Sequence, residues 1–386
     1  MLVPQGNLRL MVVGDANRAA TAAEVAAMRA ILDRSLAEGA VGMSSGLNYV
    51  PGMFASTDEL VALCEVVADR GGFWAPHTRS YGLGALESYA EMIGIARASG
   101  CALHLTHATM NFAPNRGRAG ELLALIDDAL ASGVDVTLDS YPYLAGSTTL
   151  AALLPSWALA DGLDATLARL ADADARERIR VAVDETGSDG CNGLAVEWAT
   201  IEIAGVANPE LAPLVGRRVS DLAAQQEVAA VDVFFDILRR DALATSIQQH
   251  VGDEDNVRLI MQHRTHMAGS DGILVGAKPH PRAWGTFARY LSHYSRDLGL
   301  MSLEECVAHL TGRPAARLAL TDRGLVREGY AADLVLFDPA MIQDAATYDN
   351  PRIAATGIRT VMVNGEFALD EARRTPVVAG RALRRR

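Results

Sequence analysis

The sequence predicts an α/β fold in which parallel strands alternate with helices, as a β/α barrel or a doubly wound sheet. Two observations carry this. Short apolar runs alternate with helical patterns through residues 39–143. Within that half, residues 74–111 read strand, helix, strand, and both strands run out on a histidine, His77 and His107. The two are separated by about 30 residues, the length of one βαβ unit. Such a unit puts the C-terminal ends of both strands on one edge, where ligands bind in parallel α/β folds. Two imidazoles there are placed to share a metal ion. A third apolar segment, residues 265–271, reaches an acid, Asp271, before Gly272. Two histidines and a carboxylate form a metal-and-base set suited to hydrolysis.

The elements follow in order. Residues 8–13 (LRLMVV) read as a short strand, and 20–38 as a helix rich in Ala, Leu and Met. Residues 39–47 form a strand running into a small-residue loop. Ser56 opens the next helix with N-cap chemistry, and Gly71-Gly72 ends it. A helix at 85–98, with Leu86, Tyr89, Met92, Ile93 and Ala96 on one face, links the two histidine-bearing strands. A helix at 120–131 and a strand at 134–141 come next. The rhythm then breaks. Residues 144–250 carry helical patterns at 163–170, 175–182 and 228–239 and a β-like piece at 196–204, which reads as an insertion over the mouth of the barrel. Strands are expected to resume at 257–261 and 265–271, with helices at 284–294 and 302–310. The character changes again near residue 318, toward a small β unit with a hairpin turn at Asn364-Gly365. The terminal RALRRR reads as a solvated end.

The chain has 386 residues, half of them hydrophobic, enough for one large domain and a smaller one. Its net charge of −12 argues against a nucleic-acid partner. No apolar run reaches membrane-spanning length, and no signal peptide is evident. The cysteines, Cys64, Cys101, Cys191 and Cys306, form no CxxC pair. A reducing, cytoplasmic setting is expected.

Several stretches together resemble the N-acyl-D-amino-acid deacylases (D-aminoacylases) of the amidohydrolase superfamily. They include Ser44-Ser45-Gly46-Leu47 with Tyr49, His77-Thr78-Arg79, Thr106-His107, Asp139-Ser140-Tyr141-Pro142-Tyr143, Gly269-Ser270-Asp271-Gly272 and His280-Pro281-Arg282. Further matches, among them Gly329 with Ala332-Asp333-Leu334 and Val363-Asn364-Gly365, carry the resemblance to the C-terminus. It implies a (β/α)8 TIM-type barrel over residues 1–317, with the insertion at about 144–250. Residues 318–386 would be the C-terminal part of a small β-sandwich. It also implies one or two zinc ions. His77 and His107 match metal-binding histidines. Asp271 matches the aspartate that serves as metal neighbour and as base, then acid, around a zinc-bound water. Arg282 matches the arginine that grips the substrate carboxylate, and Tyr49, Tyr141 and Ser147 match pocket-lining positions. The implied reaction is deacylation of an N-acyl-D-amino acid. Cyclic amide or imide hydrolysis is an alternative, as is a remnant without activity.

The chain departs from the family in two places. Thr109 stands where the family has a lysine. The family's first-strand His-x-His and its Gly-Asn-Cys-Gly motif are not found, so residues 8–13 are taken as the third barrel strand. A separate N-terminal fragment or self-association is expected to complete the fold.

Overall fold

The computed structural model describes residues 1–383; the last three residues of RALRRR lie outside it. Its centre is a six-stranded, all-parallel sheet ordered β1-β2-β3-β4-β5-β9. The chain enters at β1 (Leu2–Pro4) and turns at once into helix α1 (Gln5–Val12). Helix α2 (Ala22–Ala37) leads to β2 (Gly42–Gly46), and α3 (Thr57–Asp69) leads to β3 (Phe73–His77). Helix α4 (Ala85–Ser99) leads to β4 (Ala102–Leu105), and α5 (Ala119–Ala131) to β5 (Val136–Ser140). Ser56 caps α3 through the Glu59 amide, as the sequence suggests, and Thr21 and Glu24 form a capping box on α2 that the sequence analysis did not single out. One close approach requires glycine. A β-carbon on Gly42 would lie 2.0 Å from the carbonyl oxygen of Phe73 on the neighbouring strand.

Two expected strands are helices. Residues 8–13 lie mainly in α1, because the buried positions, Gln5, Leu8 and Arg9, fall on one helical face while Leu10 and Met11 point to solvent. The first strand of the sheet is instead the short β1. Residues 257–261 belong to the helix Glu254–Met261, which Asp253 caps and which buries Asn256, Val257, Ile260 and Met261. Both segments are short apolar runs whose period is ambiguous without knowledge of what they face.

The insertion contains the expected helices, Gly162–Ala171, Ala173–Val181 and Ala230–Arg240. It also holds a three-stranded antiparallel sheet in the order β6 (Ala145–Thr149), β8 (Ser246–His250), β7 (Ile201–Gly205). Leu150, Leu170, Ile203, Phe234, Phe235 and Ile247 belong to a buried core of its own, separate from the core beneath the parallel sheet. The chain rejoins the parallel sheet at β9 (His266–Ala268). The C-terminal region forms a four-stranded antiparallel sheet of β10 (Leu334–Phe337), β11 (Ile358–Val363), β12 (Glu366–Asp370) and β13 (Arg373–Arg374). Asn364 and Gly365, both with positive φ, turn β11 into β12 as expected. No helix among the described residues is long and apolar enough to cross a membrane.

Helix α1 is anchored by an ion pair. Arg9 is fully buried and donates to Glu59 of α3, and Gln5 donates to the same carboxylate at 3.1 Å. Burial raises the pKa of Glu59, and Arg9 opposes that rise. Removing one partner strands the other charge out of water. Arg9→Leu is expected to cost roughly 3–5 kcal/mol of unfolding free energy, read as a lower denaturant midpoint. Arg18→Leu, which breaks an exposed pair with Glu24, should move the midpoint little.

Candidate active site

The parallel pairing decides where the histidines meet. Phe73 and Trp74 of β3 lie opposite Ala102 and Leu103 of β4, so both strands finish at the same edge. His77 is the last residue of β3, and His107 lies two residues past β4 in a left-handed turn with φ +36°. Their Nε2 atoms are 3.0 Å apart and the rings are nearly perpendicular. Asp271 lies three residues beyond β9 rather than in it, also at positive φ (+45°). A non-glycine residue held in that region costs about 1–3 kcal/mol and persists only where its surroundings enforce it. Four such residues, His107, Phe112, Asn192 and Asp271, line one cavity.

One cavity of about 90 Å³ is lined by all seven residues singled out from the sequence: Tyr49, His77, His107, Tyr141, Ser147, Asp271 and Arg282. Arg282 is almost completely buried at the start of the helix Arg282–Arg289. Its guanidinium lies over the Tyr141 ring, 4.5 Å from the centroid, and its Nη2 is 2.8 Å from Asp271 Oδ2. That contact brings the charges together without a well-directed hydrogen bond, and among the described residues Nε and Nη2 both lack an aligned acceptor. A guanidinium in this setting suits a carboxylate or another anion. Burial raises the pKa of Asp271, against the pull of Arg282 and His77. Tyr49 Oη is 2.8 Å from Thr148 Oγ1, which ties the loop after β2 to the insertion. Thr109 also lines the cavity, where its hydroxyl donates to Asn111 at 2.6 Å.

The sequence reading missed several neighbours. Tyr81 Oη is 3.4 Å from His107 Nδ1 and accepts from the Thr78 amide. Asn192 of the insertion accepts from the Tyr81 and Leu83 amides, fixing the loop that carries Tyr81. Asp139 accepts from the His107 amide. Asp139 stood within a recognised stretch but without a role, and Asn192 is brought in only by tertiary folding.

Zinc suits the two histidines. Burial lowers the pKa of His77 to about 3 and that of His107 to about 4, so both rings are neutral with lone pairs available at neutral pH. Zinc–nitrogen bonds of about 2.0–2.1 Å place two ligand nitrogens roughly 3.3 Å apart, close to the observed pair. His77 Nδ1 is buried with no partner among the described residues. Among the described residues, however, no group of three or more His, Cys, Asp or Glu is arranged to hold a metal. All four cysteines are free and buried, and none lines the cavity.

Comparison with known proteins finds relatives along nearly the whole chain. The chain is 35% identical over 384 residues to a D-aminoacylase from Alcaligenes xylosoxydans xylosoxydans, covering all of this chain and 69% of that protein. It is 36% identical over 364 residues to an N-acyl-D-glutamate deacylase of the same organism, covering 94% of this chain and 65% of the relative. The chain thus spans about two thirds of the length of these curated relatives. The solved structure of an N-acyl-D-glutamate deacylase from Bordetella bronchiseptica holds zinc and a phosphonate inhibitor that mimics the tetrahedral intermediate. It superposes with a TM-score of 0.80 at 34% identity, covering 96% of this chain and 70% of that one. The sequence pattern of the amidohydrolase family matches residues 7–368, and the chain belongs to that family.

Proposed function

We propose that this chain acts in hydrolysis of the amide bond of N-acyl-D-amino acids, releasing a D-amino acid and a carboxylate. The observation that carries this reading is the convergence of His77, His107, Asp271 and Arg282 on one cavity. The relatives named above supply the substrate class. The six-stranded sheet is read as part of a (β/α)8 barrel over residues 1–317, with the insertion at about 144–250. Residues 318–386 are read as part of a small β-sandwich. Among the described residues the outer strands β1 and β9 each have one partner, so a separate segment or a second copy would pair there.

His77 and His107 would hold zinc through Nε2, with Asp271 alongside. When bound, zinc supplies a Lewis acid that polarises the amide carbonyl and makes water more acidic. The chain's own residues supply the rest. Asp271, with its pKa raised by burial, takes a proton from the attacking water and returns it to the departing amide nitrogen. Arg282 receives the substrate carboxylate on its free donors, while Tyr141 fixes the plane of the guanidinium. The insertion shields the reaction from bulk water through Ser147, Thr148 and Asn192.

The cavity wall also bears on the substrate side chain. Apart from the histidines, Arg282 is the one cation and Asp271 the one acid among its described residues; Asn48, Thr109, Asn111 and Gln249 are neutral. With Arg282 committed to the α-carboxylate, an acidic side chain finds no partner, which favours neutral D-amino acids. Thr109, in place of the family's lysine, supports a second reading in which a cyclic amide or imide is opened.

Three outcomes test these assignments. With only two histidines and a shared carboxylate, the chain is expected to lose zinc on dialysis and to turn over N-acetyl-D-leucine slowly. Metal analysis showing one tightly held zinc per chain, with brisk turnover, would refute that expectation. Asp271→Asn should keep the fold and lower turnover by roughly two to four orders of magnitude; unchanged kinetics would remove Asp271 from proton transfer. Arg282→Lys should reduce kcat/KM for a carboxylate-bearing substrate by a factor equivalent to roughly 1–3 kcal/mol. An equal loss on a neutral amide would sink the carboxylate-binding role.

A further inference from the structure

Asp139 takes no part in the chemistry above, yet it holds His107 from several directions. His107 has left β4 and sits at φ +36°, a conformation its β-carbon disfavours. The His107 amide donates to Asp139 Oδ1, and the Ala108 amide donates to the Asp139 carbonyl at 2.7 Å. Two consecutive amides of the turn therefore end on one residue of the neighbouring strand. Asp139 Oδ2 lies 3.4 Å from His104 Nε2, and His104 is itself held through Nδ1 by Thr137 at 2.9 Å. On the remaining side stands Gly269. A β-carbon there would lie 2.5 Å from Asp139 Oδ2, so the carboxylate fills space that only glycine leaves open.

We infer that Asp139 is a positioning residue for His107: it clamps the turn after β4 so that the two Nε2 atoms meet, and His104 and Gly269 set where its carboxylate sits. This rests on reading His77 and His107 as metal ligands. Asp139 need not touch metal or substrate to act. It fixes the backbone from which one ligand projects, as outer-shell partners of metal ligands commonly do.

The test compares Asp139→Ala, Asp139→Asn and Gly269→Ala with the parent chain. Each is crystallised without metal, melted, and titrated with zinc against a chromophoric chelator. Asp139→Ala should melt near the parent but show the two Nε2 atoms about 1 Å or more farther apart. Its zinc affinity should fall roughly 10–100-fold. Asp139→Asn keeps an acceptor for the His107 amide and should lose far less. Gly269→Ala changes no carboxylate, yet should lose zinc affinity as Asp139→Ala does, because it displaces Oδ2. An unchanged separation with parental zinc affinity in Asp139→Ala overturns the inference. If that variant fails to fold, Gly269→Ala decides, and parental zinc affinity there overturns it. If the parent itself binds no zinc, the metal-site reading fails, and the Nε2 separation in the variants still decides the role of Asp139.

Discussion

Parallel pairing of β3 with β4 is the constraint on which the site depends. Were these strands antiparallel, His77 and His107 would finish at opposite ends of the sheet. The pairing is made by backbone groups, so it fixes the histidines' neighbourhood without reference to their side chains. Helix α4 makes the crossover between them, and it contributes more than length. Buried Tyr89 accepts from the Thr109 amide at 2.9 Å and donates to the Thr109 carbonyl at 3.0 Å, pinning the loop just past His107. Trp74, buried in β3, donates to Ser45 of β2 at 2.9 Å and braces the sheet on the other flank.

The insertion meets this rigid edge through a few polar contacts. Tyr49 reaches Thr148, and the loop after β3 receives Asn192. Gly82 leaves room for that approach, since a β-carbon there would lie 2.5 Å from the Asn192 carbonyl. Asn192 itself has φ +57°, so the insertion contributes a strained residue of its own at the junction. The cavity is thus built from one side by strand ends and from the other by a separately packed unit.

Much of this was legible in the sequence where elements are consecutive. The βαβ unit around the histidines, the capped helices α2 and α3 and the Asn364-Gly365 hairpin all signal themselves within a few residues. Legibility failed where the signal was short or polar. The helix α1 exposes Leu10 and Met11 and buries Arg9, which inverts the usual cue for which face is inside. The strands β6 (AGSTT) and β8 (SIQQH) are short and largely polar, and the single Ile247 that packs into the insertion's core makes no apolar alternation to read. Tyr81, Asn192 and the contact between Arg282 and Asp271 come together only through folding. Arg282 was found by resemblance; its stacking on Tyr141 and its unused donors are visible only in three dimensions.

The insertion's private core has a consequence for how such a cavity diversifies. Leu150, Phe234 and Ile247 pack without support from the parallel sheet's core. Substitutions at Ser147, Thr148 or Gln249 therefore reshape one wall of the cavity while His77, His107 and Asp139 keep their backbone anchors. The two sides of the cavity are thus stabilised by separately packed parts of one chain. Lineages built on this plan are free to vary the insertion side of the cavity without rebuilding the strand ends opposite it.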